Sequence, residues 1–113
     1  MIKIKRIYEP REKDDGYRVL VDRLWPRGVS KAKAGLDLWL KDIGPSNELR
    51  KWFGHRPERW TEFRKKYRQE LKSKKELLEQ LKILAKKQKK LTLLYGAKDE
   101  QHNQAVVIAE ILA

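Results

Sequence analysis

The spacing of apolar residues changes repeatedly along the chain, and each change marks an element. Ile2-Lys3-Ile4-Lys5-Arg6-Ile7 alternates apolar and basic residues, the pattern of a half-exposed strand at a sheet edge, where lysine also discourages edge-to-edge pairing. Glu9 to Gly16 is charged and turn-like. It is too short for a complete crossover helix, so the first strand is expected to join the sheet antiparallel or by an irregular path. Val19-Leu20-Val21 is a continuous β-branched run, suited to a strand buried on both faces. Trp25-Pro26 stops it, because proline has no amide hydrogen for a ladder, and Gly28 permits a tight turn.

Val29 to Gly35 reads as a loop with one helical turn, and Leu36, Leu38 and Leu40 alternate as in a short strand; a helical reading of the same residues competes. After the Gly44-Pro45 break, Ser46 is placed to cap a short helix carrying Leu49, Trp52 and Phe53, with Gly54 at its end. Pro57 opens a second helix with Trp60, Phe63, Tyr67 and Leu71 on one side. Ser73-Lys74-Lys75-Glu76 has the form of a capping box, opening a third helix with Leu77, Leu78, Leu81 and Leu84. Leu91 to Tyr95 is apolar enough for an internal strand. Asp99 or Asn103 then caps a last helix carrying Ala105, Ile108, Ala109 and Leu112.

This order predicts one α/β domain over residues 1–113: a small two- or three-layer sandwich, Rossmann-like, with a mainly parallel sheet and helices after the third strand and at the C-terminus. Val19–Val21 and Leu91–Leu94 should be buried parallel strands whose carboxyl ends open on the same edge.

Composition narrows the possible functions. The chain has 113 residues, enough for one core and too few for two. No cysteine is present, which excludes disulfides and a thiol nucleophile, and His55 and His102 lack a metal-binding spacing, so no metal site is expected. No apolar run approaches the roughly 18 residues of a membrane span, and a soluble cytoplasmic protein with no membrane partner is expected. A net charge of +12 attracts polyanions and phosphorylated ligands alike. Between Arg64 and Lys90 basic residues far outnumber Glu70, Glu76 and Glu79; such a run is ordinarily a solvated face, and alternatively a nucleic-acid surface.

The candidate chemistry gathers at two strand ends. Parallel placement brings Asp22, Arg23, Trp25, Arg27 and Gly28 towards Tyr95, Lys98, Asp99, His102 and Asn103. Arg23, Arg27 and Lys98 beside a helix N-terminus form an anion site, with a phosphate-containing small molecule or nucleotide as the leading ligand. Asp22 or Asp99 is a candidate general base and His102 a candidate acid. The competing readings are an Asp-Arg pair that fixes a loop and a histidine that hydrogen-bonds near a cap. Trp52, Trp60 and Phe63 are assigned to packing, and Trp25 and Trp39 to the pocket. Neither a Walker loop nor a dinucleotide fingerprint occurs, and no cofactor is expected.

Arg18 to Ser30, Trp39-Leu40-Lys41, Pro45-Ser46, Trp52-Phe53-Gly54-His55, Trp60, Phe63, Tyr67 and Leu93-Leu94-Tyr95-Gly96-Ala97-Lys98-Asp99 together resemble the YeaO-like family, a branch of the domain-of-unknown-function group 488, over nearly the whole chain. The resemblance implies a small α/β fold, places Trp39 and Lys41 at the border of the pocket, and confers no activity. Relatives commonly carry Asp before the proline where this chain has Arg56, so a capping carboxylate is missing. The wider family often has Cys-His-Arg near the start of the final helix, where this chain has His102-Asn103-Gln104, so a thiol-dependent function does not carry over.

Three functions compete. The first is an arginine-rich anion or nucleotide pocket, with catalysis left open. The second is a nucleic-acid-binding module using the lysine-rich helices, and the third is a protein-interaction domain. A concave polar pocket favours the first, a continuous basic stripe the second, and an apolar patch within a basic rim the third. No oligomeric state follows from the sequence.

Overall fold

The computed structural model describes residues 1–113 and is built on four strands. They are β1 (Ile2–Arg6), β2 (Tyr17–Leu20), β3 (Leu38–Trp39) and β4 (Leu91–Tyr95), all parallel in the order β1-β4-β2-β3. The two apolar runs are therefore adjacent parallel strands, with Val19 opposite Leu93 and Leu20 opposite Leu94. β4 is buried along its whole length because it has a neighbour on each side and a covered surface above and below.

Of the two expectations for β1, the antiparallel one is corrected and the irregular path is found: β1 runs parallel to β4, with Ile4 opposite Leu93. The short connector does not have to carry a helix, because β1 and β2 are not neighbours and β4 fills the slot between them. A 3-10 turn at Lys13–Asp15 suffices.

The helices are α1 (Lys31–Ala34), α2 (Asn47–Phe53), α3 (Trp60–Leu71), α4 (Lys75–Gln88) and α5 (Gln104–Leu112). On one face of the sheet, Val19, Leu91, Leu93 and Tyr95 pack with Leu49 and Phe53 of α2, Phe63 and Tyr67 of α3, Leu81 of α4, and Ala105 and Ile108 of α5. The opposite face is thinner: Ile7, Leu20 and Leu94 are covered by Ala34 of α1 together with Trp25, Val29, Leu36 and Trp39.

That thin face also holds an ion cluster. Lys5 is 8% exposed, Asp15 0% and Arg18 1%, so three charges lie inside the protein. The Asp15 carboxylate accepts from Lys5 Nζ at 3.1 Å, from the Glu12 amide at 3.0 Å and from the Arg18 guanidinium, with Lys3 Nζ at 3.1 Å. Arg18 also donates to the carbonyls of Ala34 and Gly35. Burial alone would raise the Asp15 pKa, but these donors hold it well below the usual carboxylate range.

Most caps follow local chemistry. Ser46 Oγ accepts from the Leu49 amide at 3.1 Å, and Gly54 ends α2 at φ +53°. No side chain caps α3: a 3-10 turn at Pro57–Arg59 leads into it, and neither Arg56 before that turn nor Arg59 at its end makes a side-chain capping bond. Asn103 rather than Asp99 caps α5, accepting from the Val106 amide at 3.2 Å. The expected box at Ser73 does not form. The chain is already helical through a 3-10 turn at Lys72–Lys74, so the Ser73 hydroxyl donates back to the Glu70 carbonyl at 2.8 Å.

Candidate functional site

From β2 the chain turns to β3 on one side and returns to β4 on the other, so the carboxyl ends of β2 and β4 are neighbours with diverging connections. In open α/β sheets, that place forms a crevice. Here it is a cleft of about 240 Å³. One wall is the turn from Asp22 to Arg27, another is Arg50 and Phe53 of α2 with His55 and Phe63, and a third is Gly96, Ala97 and His102 to Gln104 ahead of and at the start of α5. Tyr8 closes the side next to β1.

Asp22 follows β2 and is half-buried in this cleft. Its Oδ2 accepts from the Gly96 amide at 2.9 Å and its Oδ1 from the Gln104 side-chain amide. Glycine is required at 96, because a Cβ there would lie 2.9 Å from Asp22 Oδ2. Neither donor is charged and Asp22 belongs to none of the ion pairs of the protein, so burial pushes its carboxyl up to about 6 against the pull of the two hydrogen bonds.

The three arginines of the cleft are engaged to different degrees. Arg23 is anchored, donating through Nε to the Pro45 carbonyl at 2.8 Å and through Nη2 to that of Gly44 at 2.9 Å. Arg27 is exposed at the mouth and gives the protein only its carbonyl, which accepts from the Tyr8 hydroxyl at 2.8 Å. Arg50 has a long contact to Asn47 Oδ1 at 3.5 Å, and its Nε is buried without a partner.

His102 is held by Asp99, whose Oδ2 lies 2.8 Å from Nδ1, and by the edge of Trp60 with ring centres 5.2 Å apart. That bond to His102 and the amides of Gln101 and His102 lower the Asp99 pKa. The pair has the orientation logic of a catalytic His-carboxylate unit. No Ser, Thr or Cys side chain lines the cleft to act with it.

Of the residues singled out from sequence, Asp22, Arg23, Trp25, Arg27, His102 and Asn103 line the cleft, and Asp99 stands behind His102. Trp39 supports it from outside, donating Nε1–H to the Asp22 carbonyl at 2.8 Å and meeting Trp25 edge-on at 5.2 Å. Lys41 lies over the Trp39 ring, Lys98 and Gly28 are exposed away from the lining, and Tyr95 is buried in the helix-covered core. Tyr8, Arg50, Phe53, His55, Phe63, Gly96 and Gln104 were not assigned to the site from sequence. Arg50 had a usable signal: once Ser46 sets the helical phase, Arg50 and Phe53 fall three residues apart on one face.

A parallel α/β sheet with an arginine-lined cleft at its carboxyl edge defines the class of protein. The family model described as "Inactive DUF488-N3 subclade" matches residues 1–113, and the chain belongs to this family. It is 49% identical over 111 residues to the uncharacterized protein YeaO of Escherichia coli (strain K12), covering 98% of this chain and 96% of that one. It is 38% identical over 111 residues to the uncharacterized protein Rv3073c of Mycobacterium tuberculosis (strain H37Rv), covering 98% and 92%. No solved structure matches. No helix is long and apolar enough to cross a membrane.

Proposed function

We propose that the cleft binds a small anion, a phosphate-bearing molecule first among them, and holds it without turning it over. The observation that carries this reading is the charge of the lining: Arg23, Arg27 and Arg50 converge around Asp22 as its one carboxylate, and Arg50 Nε is buried with no partner. The Arg50 guanidinium makes one long contact, to Asn47 Oδ1 at 3.5 Å, and an oxyanion in the cleft would give it charge-assisted hydrogen bonds. The absence of turnover is supported by the word "inactive" in the family description and by a lining without a Ser, Thr or Cys nucleophile. On this reading Asp22, Asp99 and His102 position and recognise ligand.

A second reading keeps the nucleic-acid alternative. Lys75, Lys82, Lys86, Lys87 and Lys89 of α4 and its C-terminal end are exposed and form none of the ion pairs of the protein, an arrangement open to a phosphate backbone.

Calorimetric titration with inorganic phosphate and a nucleoside monophosphate at low salt tests the first reading. Arg27→Lys should weaken binding by about 1–3 kcal/mol, because the planar two-point donor is lost, while the melting temperature stays unchanged. No binding by either compound, or affinity indifferent to Arg27→Lys and Arg50→Gln, would sink it.

A further inference from the structure

Asp22 is the one carboxylate of an arginine-lined cleft, yet it belongs to no ion pair. Asp15 pairs with three cations, Lys3, Lys5 and Arg18. Asp22 shares its cleft with three arginines and pairs with none; the nearest along the chain, Arg23, is turned to the Gly44 and Pro45 carbonyls. Its two oxygens accept one neutral hydrogen bond each, which leaves about half of the acceptor capacity of a carboxylate unused. Gly96 keeps the space beside Oδ2 clear of a side chain. A half-buried carboxylate kept open in this way is a destabilising arrangement unless something arrives to satisfy it.

Building on the anion reading above, we infer that the ligand is bipolar: a small molecule whose phosphate or carboxylate meets Arg27 and Arg50, and whose amino group meets Asp22. Arg27 is exposed at the mouth and Arg50 and Asp22 are both half-buried, so the anionic end spans from the mouth inward and the amino group lies against Asp22. The stacked pair Phe53 and Phe63, with ring centres 4.3 Å apart, supplies an apolar wall for the carbon atoms between the two ends. A volume of about 240 Å³ lies below the roughly 300–1,000 Å³ of pockets for drug-sized ligands, and favours a molecule the size of an aminoalkyl phosphate or an amino acid over a dinucleotide.

The test compares 2-aminoethyl phosphate with ethyl phosphate by calorimetry at pH 7.5, on the wild type and on Asp22→Asn. The wild type should bind the amino compound at least tenfold more tightly, even though its added positive charge is disfavoured by a protein of net charge +12. In Asp22→Asn the preference should vanish while ethyl phosphate still binds. Equal affinities in the wild type, a comparison that needs no variant, would overturn the inference and leave the anion reading standing. A preference that survives Asp22→Asn would also overturn it. If neither phosphate binds, the anion reading falls and the inference falls with it.

Discussion

Asp15 and Asp22 stand at opposite ends of the same strand, two residues before β2 and two residues after it. The first is surrounded by Lys3, Lys5 and Arg18 and receives an amide from Glu12 as well. The second receives only the neutral Gly96 and Gln104 groups. Their pKa values move in opposite directions, downward for Asp15 and up to about 6 for Asp22. Where a carboxylate holds the fold together, the chain saturates it with cations; where one lines the cleft, the cations around it are turned elsewhere. The cluster before β2 is thus a fastening, and the cleft after it is, on the proposed reading, a place for a ligand.

The sharpest way to break this contrast is to neutralise the fastening. Asp15→Asn leaves Arg18 buried without a counter-charge and Lys5 with Glu12 alone, and urea unfolding at neutral pH should show a loss of about 3–5 kcal/mol. The linkage has a definite sign. The folded pKa of Asp15 is depressed below its ordinary 3.8, so its stabilisation is present above about pH 4 and is lost as the pH falls through the folded value. A variant as stable as the wild type would show that the cluster contributes no more than a surface pair.

Asp22→Asn should act in the opposite direction. A folded pKa raised from 3.8 to about 6 gives relative stability that is fully present below about pH 4 and lost as the pH rises through 6. The wild type should therefore fall behind the asparagine variant across that window, by at most about 3 kcal/mol at pH 7.5, and match it at pH 3.5. Parallel stability curves for the two proteins from pH 3.5 to 7.5 would show that Asp22 is already compensated.

The large contrasts of the sheet were legible because they are local. Val19–Val21 and Leu91–Tyr95 read as buried strands from their apolar runs, and Ser46, and either Asp99 or Asn103, read as caps from the helices they precede. The direction of β1 was not legible, because it depends on β4, which arrives late in the chain and inserts between β1 and β2. Nor was the Asp15 cluster: Arg18 faces the thin side of the sheet, and only the fold brings Lys3, Lys5 and the connector onto it. At the site, residues of the Asp22–Arg27 turn and the loop before α5 were found because they follow strand ends. Tyr95 was misplaced, since its side chain continues the Leu91–Leu93 face into the helical core. Arg50 and His55 come from a different segment, and reach the cleft only through the packing of α2.

The most direct test of the open carboxyl end is a nitrogen-proton NMR titration of the whole chain with 2-aminoethyl phosphate at pH 7.5 and low salt. Saturable shifts are expected at Arg27, Arg50, Gly96, Ala97 and the amides from His102 to Gln104, with those from Lys82 to Lys90 unmoved. Shifts confined to the α4 lysines, or no saturable shift around the cleft, would contradict the proposed ligand site.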